Sequence, residues 1–91
     1  LKGYKWITKS SNASYWLGFY ERKMKSYLVN VINEGDVVLD LGAHVGYYTL
    51  IASKLVGKSG RIFSFEPLPR NLAFLNKHLQ LNNVNNVVVY D

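Results

Sequence analysis

One stretch limits what this chain can fold into: Asp36-Val-Val-Leu-Asp40-Leu-Gly42-Ala-His44-Val-Gly46, with Glu66 following twenty residues after Gly46 in Phe65-Glu66-Pro67. A β-branched run, a glycine turn, a helical pattern and a second short run ending in an acid describe half of an α/β domain with parallel strands. Val37-Val38-Leu39 is apolar without alternation, which suits a strand covered on both faces. Gly42 and Gly46 let backbone come close to a ligand where a Cβ would clash. Asp40 is predicted at the end of the first strand. Glu66 is predicted at the end of the second, where a carboxylate can take both hydroxyls of a ribose.

The flanking pattern agrees. From Phe19 to Asn33, Met24, Tyr27, Leu28, Val31 and Ile32 recur on one helical stripe, closed by Glu34-Gly35. Residues 45–56 predict a second helix with Tyr48, Ala52, Leu55 and Val56 inward and Gly57 closing it. Arg61–Phe65 reads as the next strand. Pro67 and Pro69 frame a helix start, and Leu68, Leu72, Leu75 and Leu79 share a face before Asn82-Asn83 ends it. Asn86–Tyr90 reads as a third strand. Ahead of this core, Tyr4–Thr8 alternates like a short edge strand, residues 10–14 are a polar loop, and Tyr15, Trp16, Phe19 and Tyr20 form an aromatic knot packed on the domain. The expected fold is α/β and Rossmann-like but incomplete: a helical lead-in followed by βαβαβ with parallel strands.

With 91 residues the chain is one domain or part of one. It has no cysteine, which excludes disulfides, thiolate metal sites and cysteine nucleophiles. His44 and His78 are isolated, so no metal is expected, and His78 reads as a helix-surface residue. No apolar run approaches the ~20 residues of a membrane span, and no signal-peptide pattern is visible; the expected location is cytoplasmic. The net charge of +5 is concentrated in Lys2, Lys5, Lys9, Arg22, Lys23 and Lys25. A solvated face accounts for this run, with phosphate, nucleic-acid or anionic-lipid binding as the alternative.

The spacing separates nucleoside ligands. A dinucleotide fingerprint wants G-x-G-x-x-G. This chain has G-x-x-x-G, with Ala43-His44-Val45 between the glycines, and the Gly-Lys-Ser/Thr of a P-loop is absent. An acid before the turn and another after the next strand suit a ligand with a ribose and a zwitterionic end, such as S-adenosyl-L-methionine (SAM). Asp40 would hold an amino group, the turn would seat a carboxylate or phosphate, and Glu66 would chelate the ribose. A nicotinamide or other nucleotide enzyme and a non-catalytic basic interaction module are the alternatives.

Residues 38–49, Val-Leu-Asp-Leu-Gly-Ala-His-Val-Gly-Tyr-Tyr-Thr, resemble FkbM-type class I SAM-dependent methyltransferases when taken with Phe65-Glu-Pro-Leu-Pro69, Asn82-Asn83-Val84 and the lead-in Tyr15–Glu21. The resemblance implies a SAM-binding domain that methylates oxygen on a small molecule or sugar; an RNA acceptor is the alternative. It places Asp40, Gly42, Ala43, His44 and Gly46 along the methionine part of SAM and Glu66 on its ribose. The family usually has asparagine where this chain has His44. Residues 1–17 would be a lead-in segment and 18–91 a partial SAM-binding domain ending after the third strand. The family's adenine contacts and acceptor site come later, so no catalytic residue is assigned and the 91-residue chain alone is expected to be inactive. With the first strand unpaired on one side, self-association through the edge of residues 37–41 is expected.

Overall fold

A computed structural model describes residue 5 and residues 14–91, with side chains described at Lys5 and from Arg22 onward. The expected edge strand around residues 4–8, the polar loop before residue 14 and the packing of the aromatic knot lie outside the described residues, Lys5 excepted. The elements run α1 (Ser14–Val31), β1 (Val37–Leu41), α2 (Tyr47–Val56), β2 (Arg61–Phe65), α3 (Pro69–Leu81) and β3 (Val87–Tyr90). The three strands form one sheet in the order β1-β2-β3. Both pairings are parallel, with Val38 opposite Ile62 and Ile62 opposite Val87. This is the predicted βαβαβ order behind a helix.

Each boundary has a local cause. The last helical bond near the end of α1 runs from Ile32 N to Leu28 O, and the chain then turns tightly as Asn33 N donates to the Asp36 carboxylate. That ends the helix short of the expected Asn33. At its start α1 reaches back to Ser14, five residues before the expected Phe19, so it takes in Tyr15 and Trp16. α2 begins at Tyr47, two residues later than expected, because Gly46 sits at φ 101°, outside the helical region. Pro69 occupies the first turn of α3, where its missing N–H costs nothing. Asn82 closes that helix, its Nδ2 donating to His78 O at 2.8 Å and to Lys5 O at 2.9 Å. Lys5 N in turn donates to Asn82 Oδ1 at 2.8 Å, which ties Lys5 to the end of α3.

The core lies on one face of the sheet. Ala43, Leu50, Leu75 and Leu79 pack with Val84, Val87 and Val89, while Ala52, Val56 and Ile62 pack with Ile32, Val38 and Val87. The helices therefore cover the side chains that alternate to that face. The other face is open, with Val37, Leu39 and Leu41 at 66%, 65% and 74% exposure. The expectation of a strand covered on both faces fails here, since only half of the apolar run meets a helix. Phe63, Phe65 and Tyr90 share the open face, with Tyr90 stacked on Phe65 at 5.0 Å between centroids.

Several inward positions also differ. Tyr48 is exposed and meets Tyr47 edge-on, while Tyr47, Thr49, Leu50 and Ile51 are buried. α2 packs against the sheet and against other helices, so its buried side is wider than one stripe. Tyr27 and Val31 are exposed on α1, and Leu68 is exposed because it stands before α3, where helical spacing does not apply. His78, expected on the surface, is fully buried.

Gly60 shows how closely α2, β1 and β2 approach. A Cβ there would fall 2.3 Å from the Val56 Cβ and 2.7 Å from the Asp36 carbonyl oxygen. Gly60→Ala is expected to destabilise the fold by about 1–3 kcal/mol through overpacking, read as a lower urea midpoint; an unchanged midpoint would contradict this packing.

Candidate functional site

The C-terminal ends of β1 and β2 bring Asp40, the Gly42–Gly46 turn and Glu66 together, as the sequence implied. Asp40 is half-buried near the end of β1 and pairs in register with Ser64 of β2. Thr49, fully buried in the first turn of α2, donates its hydroxyl proton to Asp40 Oδ2. A hydroxyl has one proton to give. Ser64 therefore donates to Thr49 Oγ1 across 3.0 Å, completing a chain from Ser64 to Thr49 to Asp40.

The two glycines of the turn do different things. Gly42 has φ 71°, and no heavy atom lies within 4 Å of the place its Cβ would occupy. Its Cα face is open to a ligand. Gly46, at φ 101°, is buried, and a Cβ there would fall 2.7 Å from Leu75 Cδ1. Its lack of a side chain serves the packing of α3. Between them His44 adopts φ 57°. Asn, Asp and His are the non-glycine residues most often found in this left-handed region. Histidine is therefore compatible with the backbone that this turn requires. Its side chain is exposed and does not crowd the turn.

Four amides of the turn are already used. Gly42 N and Ala43 N both donate to Phe65 O, at 2.9 and 3.0 Å, and Gly46 N donates to Ala43 O at 3.0 Å. His44 N donates to Glu66 Oε1 at 2.7 Å. A carboxylate or phosphate seated on the turn, as the sequence suggests, would find these four amides engaged within the protein. What the turn offers a ligand is the bare Cα of Gly42.

Glu66 is 3% exposed. Besides His44 N it accepts Leu68 N at 3.0 Å, on Oε2, at the N-terminus of α3. It also accepts a hydrogen bond from the Asn71 side chain. Burial acts to raise its pKa. The hydrogen bonds from Leu68, His44 and Asn71, with the charge of His44, outweigh burial and hold the carboxyl below the usual glutamate range. An ionised carboxylate has about four acceptor sites, so three protein donors leave little unused capacity for a ribose.

Thr49, Ser64, Asn71 and His78 received no role from the sequence. Hydroxyl and amide residues inside apolar stretches were the only available signal for the first three. Separately, a cleft of about 330 Å³ lies at the other end of the sheet, lined by Lys54, Lys58 and Asn82–Asn86 among others. Helix C-termini surround it, and it is remote from Asp40 and Glu66.

Burial pushes the His78 pKa down, against a raising effect of its hydrogen bond to Val45. Both titrating groups are therefore depressed in the folded state. The unfolded chain takes up protons first, and stability is lost as pH falls. Unfolding midpoints are expected to drop in two stages, below about pH 6.5 for His78 and below about pH 4.3 for Glu66. His78→Asn should remove the upper stage and Glu66→Gln the lower. A midpoint independent of pH across this range would refute both assignments.

The TRM5/TYW2 methyltransferase domain family model matches residues 3–91. A protein-L-isoaspartate O-methyltransferase of Fervidobacterium nodosum is 34% identical over 58 residues, covering 64% of this chain and 29% of that protein. The tRNA(Phe) (4-demethylwyosine(37)-C(7)) aminocarboxypropyltransferase of Methanocaldococcus jannaschii is 32% identical over 68 residues, 75% of this chain and 26% of that protein. Among solved structures, M. jannaschii TYW2 in complex with AdoMet matches with a TM-score of 0.65 and 28% identity over 75% of this chain and 31% of that one. A SAM-dependent methyltransferase from Aquifex aeolicus matches with a TM-score of 0.65 and 25% identity over 78% of this chain and 36% of that one. The chain thus spans between a quarter and a third of the length of the two curated relatives. The Rossmann-like methyltransferase fold and SAM as cofactor stand as the sequence implied. The matching family differs from the FkbM type that the motifs suggested: the chain belongs to the TRM5/TYW2 methyltransferase domain family.

Proposed function

We propose that residues 18–91 form the cofactor-binding part of a cytoplasmic SAM-dependent transferase that modifies RNA. The observation that carries the cofactor site is the open Cα face of Gly42, set between Asp40 and Glu66 at the strand ends. In this reading Asp40, through its ordered carboxylate, faces the amino group of the methionine moiety. Gly42, Ala43, His44 and Gly46 form the wall along it. Glu66 takes the ribose hydroxyls by exchanging the lone pairs that Asn71 now uses. The amide accounting argues against a pyrophosphate here and so against the nicotinamide alternative.

RNA is favoured over a sugar or small-molecule acceptor by two observations. The M. jannaschii relative, which matches over 75% of this chain, is by name a tRNA(Phe)-modifying transferase, and Arg22, Lys23 and Lys25 are exposed on α1. Asp40 and Glu66 supply no general base in this reading. Binding orients the cofactor for in-line attack, and positioning supplies most of the rate.

Titration of S-adenosylhomocysteine into the chain is expected to give saturable binding, with no heat from NAD. Glu66→Ala and Glu66→Gln should weaken it by on the order of 10–100-fold, the range of a hydrogen bond to a charged group. NAD binding with no response to the homocysteine nucleoside would overturn the cofactor assignment. RNA binding should weaken steeply as salt rises; a flat salt dependence would remove RNA as the acceptor. The 91-residue chain by itself is expected to show no turnover.

The exposed β1 also supports self-association of the 91-residue chain through residues 37–41, with Val37, Leu39 and Leu41 on the bare face. Light scattering should show mass rising with concentration, and Leu39→Pro, whose N–H faces the open edge, should lower it by blocking that edge. A concentration-independent monomer would contradict it.

A further inference from the structure

The Gly42–Gly46 turn is held from two sides, and only one of them belongs to the strand ends. On one side is the Glu66 carboxylate at His44 N. On the other is α3: Leu75 fills the space against Gly46, and one helical turn later His78 Nδ1 lies 2.6 Å from Val45 O. Val45 stands between His44 at φ 57° and Gly46 at φ 101°, both left-handed. Each non-glycine residue held there costs on the order of 1–2 kcal/mol, so the turn needs external fastening to keep one shape.

We propose that His78 is a positioning residue for the cofactor: through Nδ1–H donated to the Val45 carbonyl it fixes the turn whose Gly42 face receives SAM. The proposal rests on the cofactor assignment above and adds a residue that touches no ligand. A carbonyl only accepts, so the proton must be on Nδ1. Full burial keeps the ring neutral, which leaves the Nδ1–H tautomer as the donor. The ring is held in place by Phe74, one turn back, at 6.3 Å and an interplanar angle of 27°; Arg70 lies over the other ring of that stack, 4.9 Å from the Phe74 centroid. The ladder Arg70–Phe74–His78 thus runs along α3 at four-residue spacing and ends on the turn.

Three readings on the full chain test this. Nitrogen-detected NMR of the His78 ring should show the proton on Nδ1; a proton on Nε2 alone would overturn the proposal without any substitution. His78→Leu keeps bulk and removes the donor, while His78→Asn returns an N–H close to the Nδ1 position. Amide exchange at His44, Val45 and Gly46 should speed up in His78→Leu and return to the wild-type rate in His78→Asn. S-adenosylhomocysteine affinity should fall about tenfold in the leucine variant, the equivalent of about 1.4 kcal/mol, and recover to within about threefold in the asparagine variant. Equal turn exchange in all three proteins would overturn the proposal. So would damage spread over the whole chain and not rescued by asparagine. If the wild type binds no homocysteine nucleoside, the cofactor assignment fails, and turn exchange and tautomer still decide the role of His78.

Discussion

The bond from His44 N to the Glu66 carboxylate holds the site together, because it joins the two strand ends through the turn between them. Glu66 leaves β2 with its backbone still in the sheet, its N–H donating to Tyr90 O at 2.9 Å. Its side chain then reaches across to the turn after β1 and forward to the first turn of α3. One carboxylate thereby sets the position of the turn, the direction in which α3 departs, and the spacing of both from β3. An anion at a helix N-terminus is also favoured by the helix dipole. Removing the carboxylate leaves part-buried amides without their acceptor, which costs more than the bonds themselves contribute.

The same accounting says what kind of ligand the cleft takes. In a dinucleotide fold the glycine turn presents free amides to a pyrophosphate. Here those of Gly42, Ala43, His44 and Gly46 end on Phe65 O, Glu66 and Ala43 O. Those four amides are engaged within the protein, and beside them the turn presents shape: a bare Cα at Gly42 next to an ordered acid. Asp40 is kept ordered by Thr49 and Ser64, whose hydroxyls point their protons along one direction toward it.

Much of this was legible in the sequence. The order of strands and helices, the place of Pro69 and the convergence of Asp40, Gly42 and Glu66 follow from local pattern, because turn and cap chemistry act over a few residues. What failed depended on neighbours that pattern does not name. Val37-Val38-Leu39 has the composition of a strand buried on both sides, yet composition cannot say which faces a chain of this extent covers. Tyr48 and Tyr27 sit at helical spacing but at the margins of their buried sides. Leu68 fits the α3 stripe by number alone, since it stands outside the helix. His78 was misread for the opposite reason. A lone polar residue on a helix usually faces water, and here it faces Val45 O, a carbonyl thirty-three residues away in sequence.

A strained turn at a binding site raises the question of what holds the strain. His44 is the one non-glycine residue of the turn in the left-handed region, and the cost of keeping it there is comparable to one or two hydrogen bonds. Glu66 and His78 supply two, from opposite sides, at 2.7 and 2.6 Å. Neither bond depends on a ligand, so the cost is met during folding and the turn is already in shape when the cofactor arrives. A ligand that meets a pre-formed wall loses no affinity to ordering it. On the proposed cofactor site His78 would thus bear on affinity through the turn it fastens, although its side chain meets the backbone and no ligand.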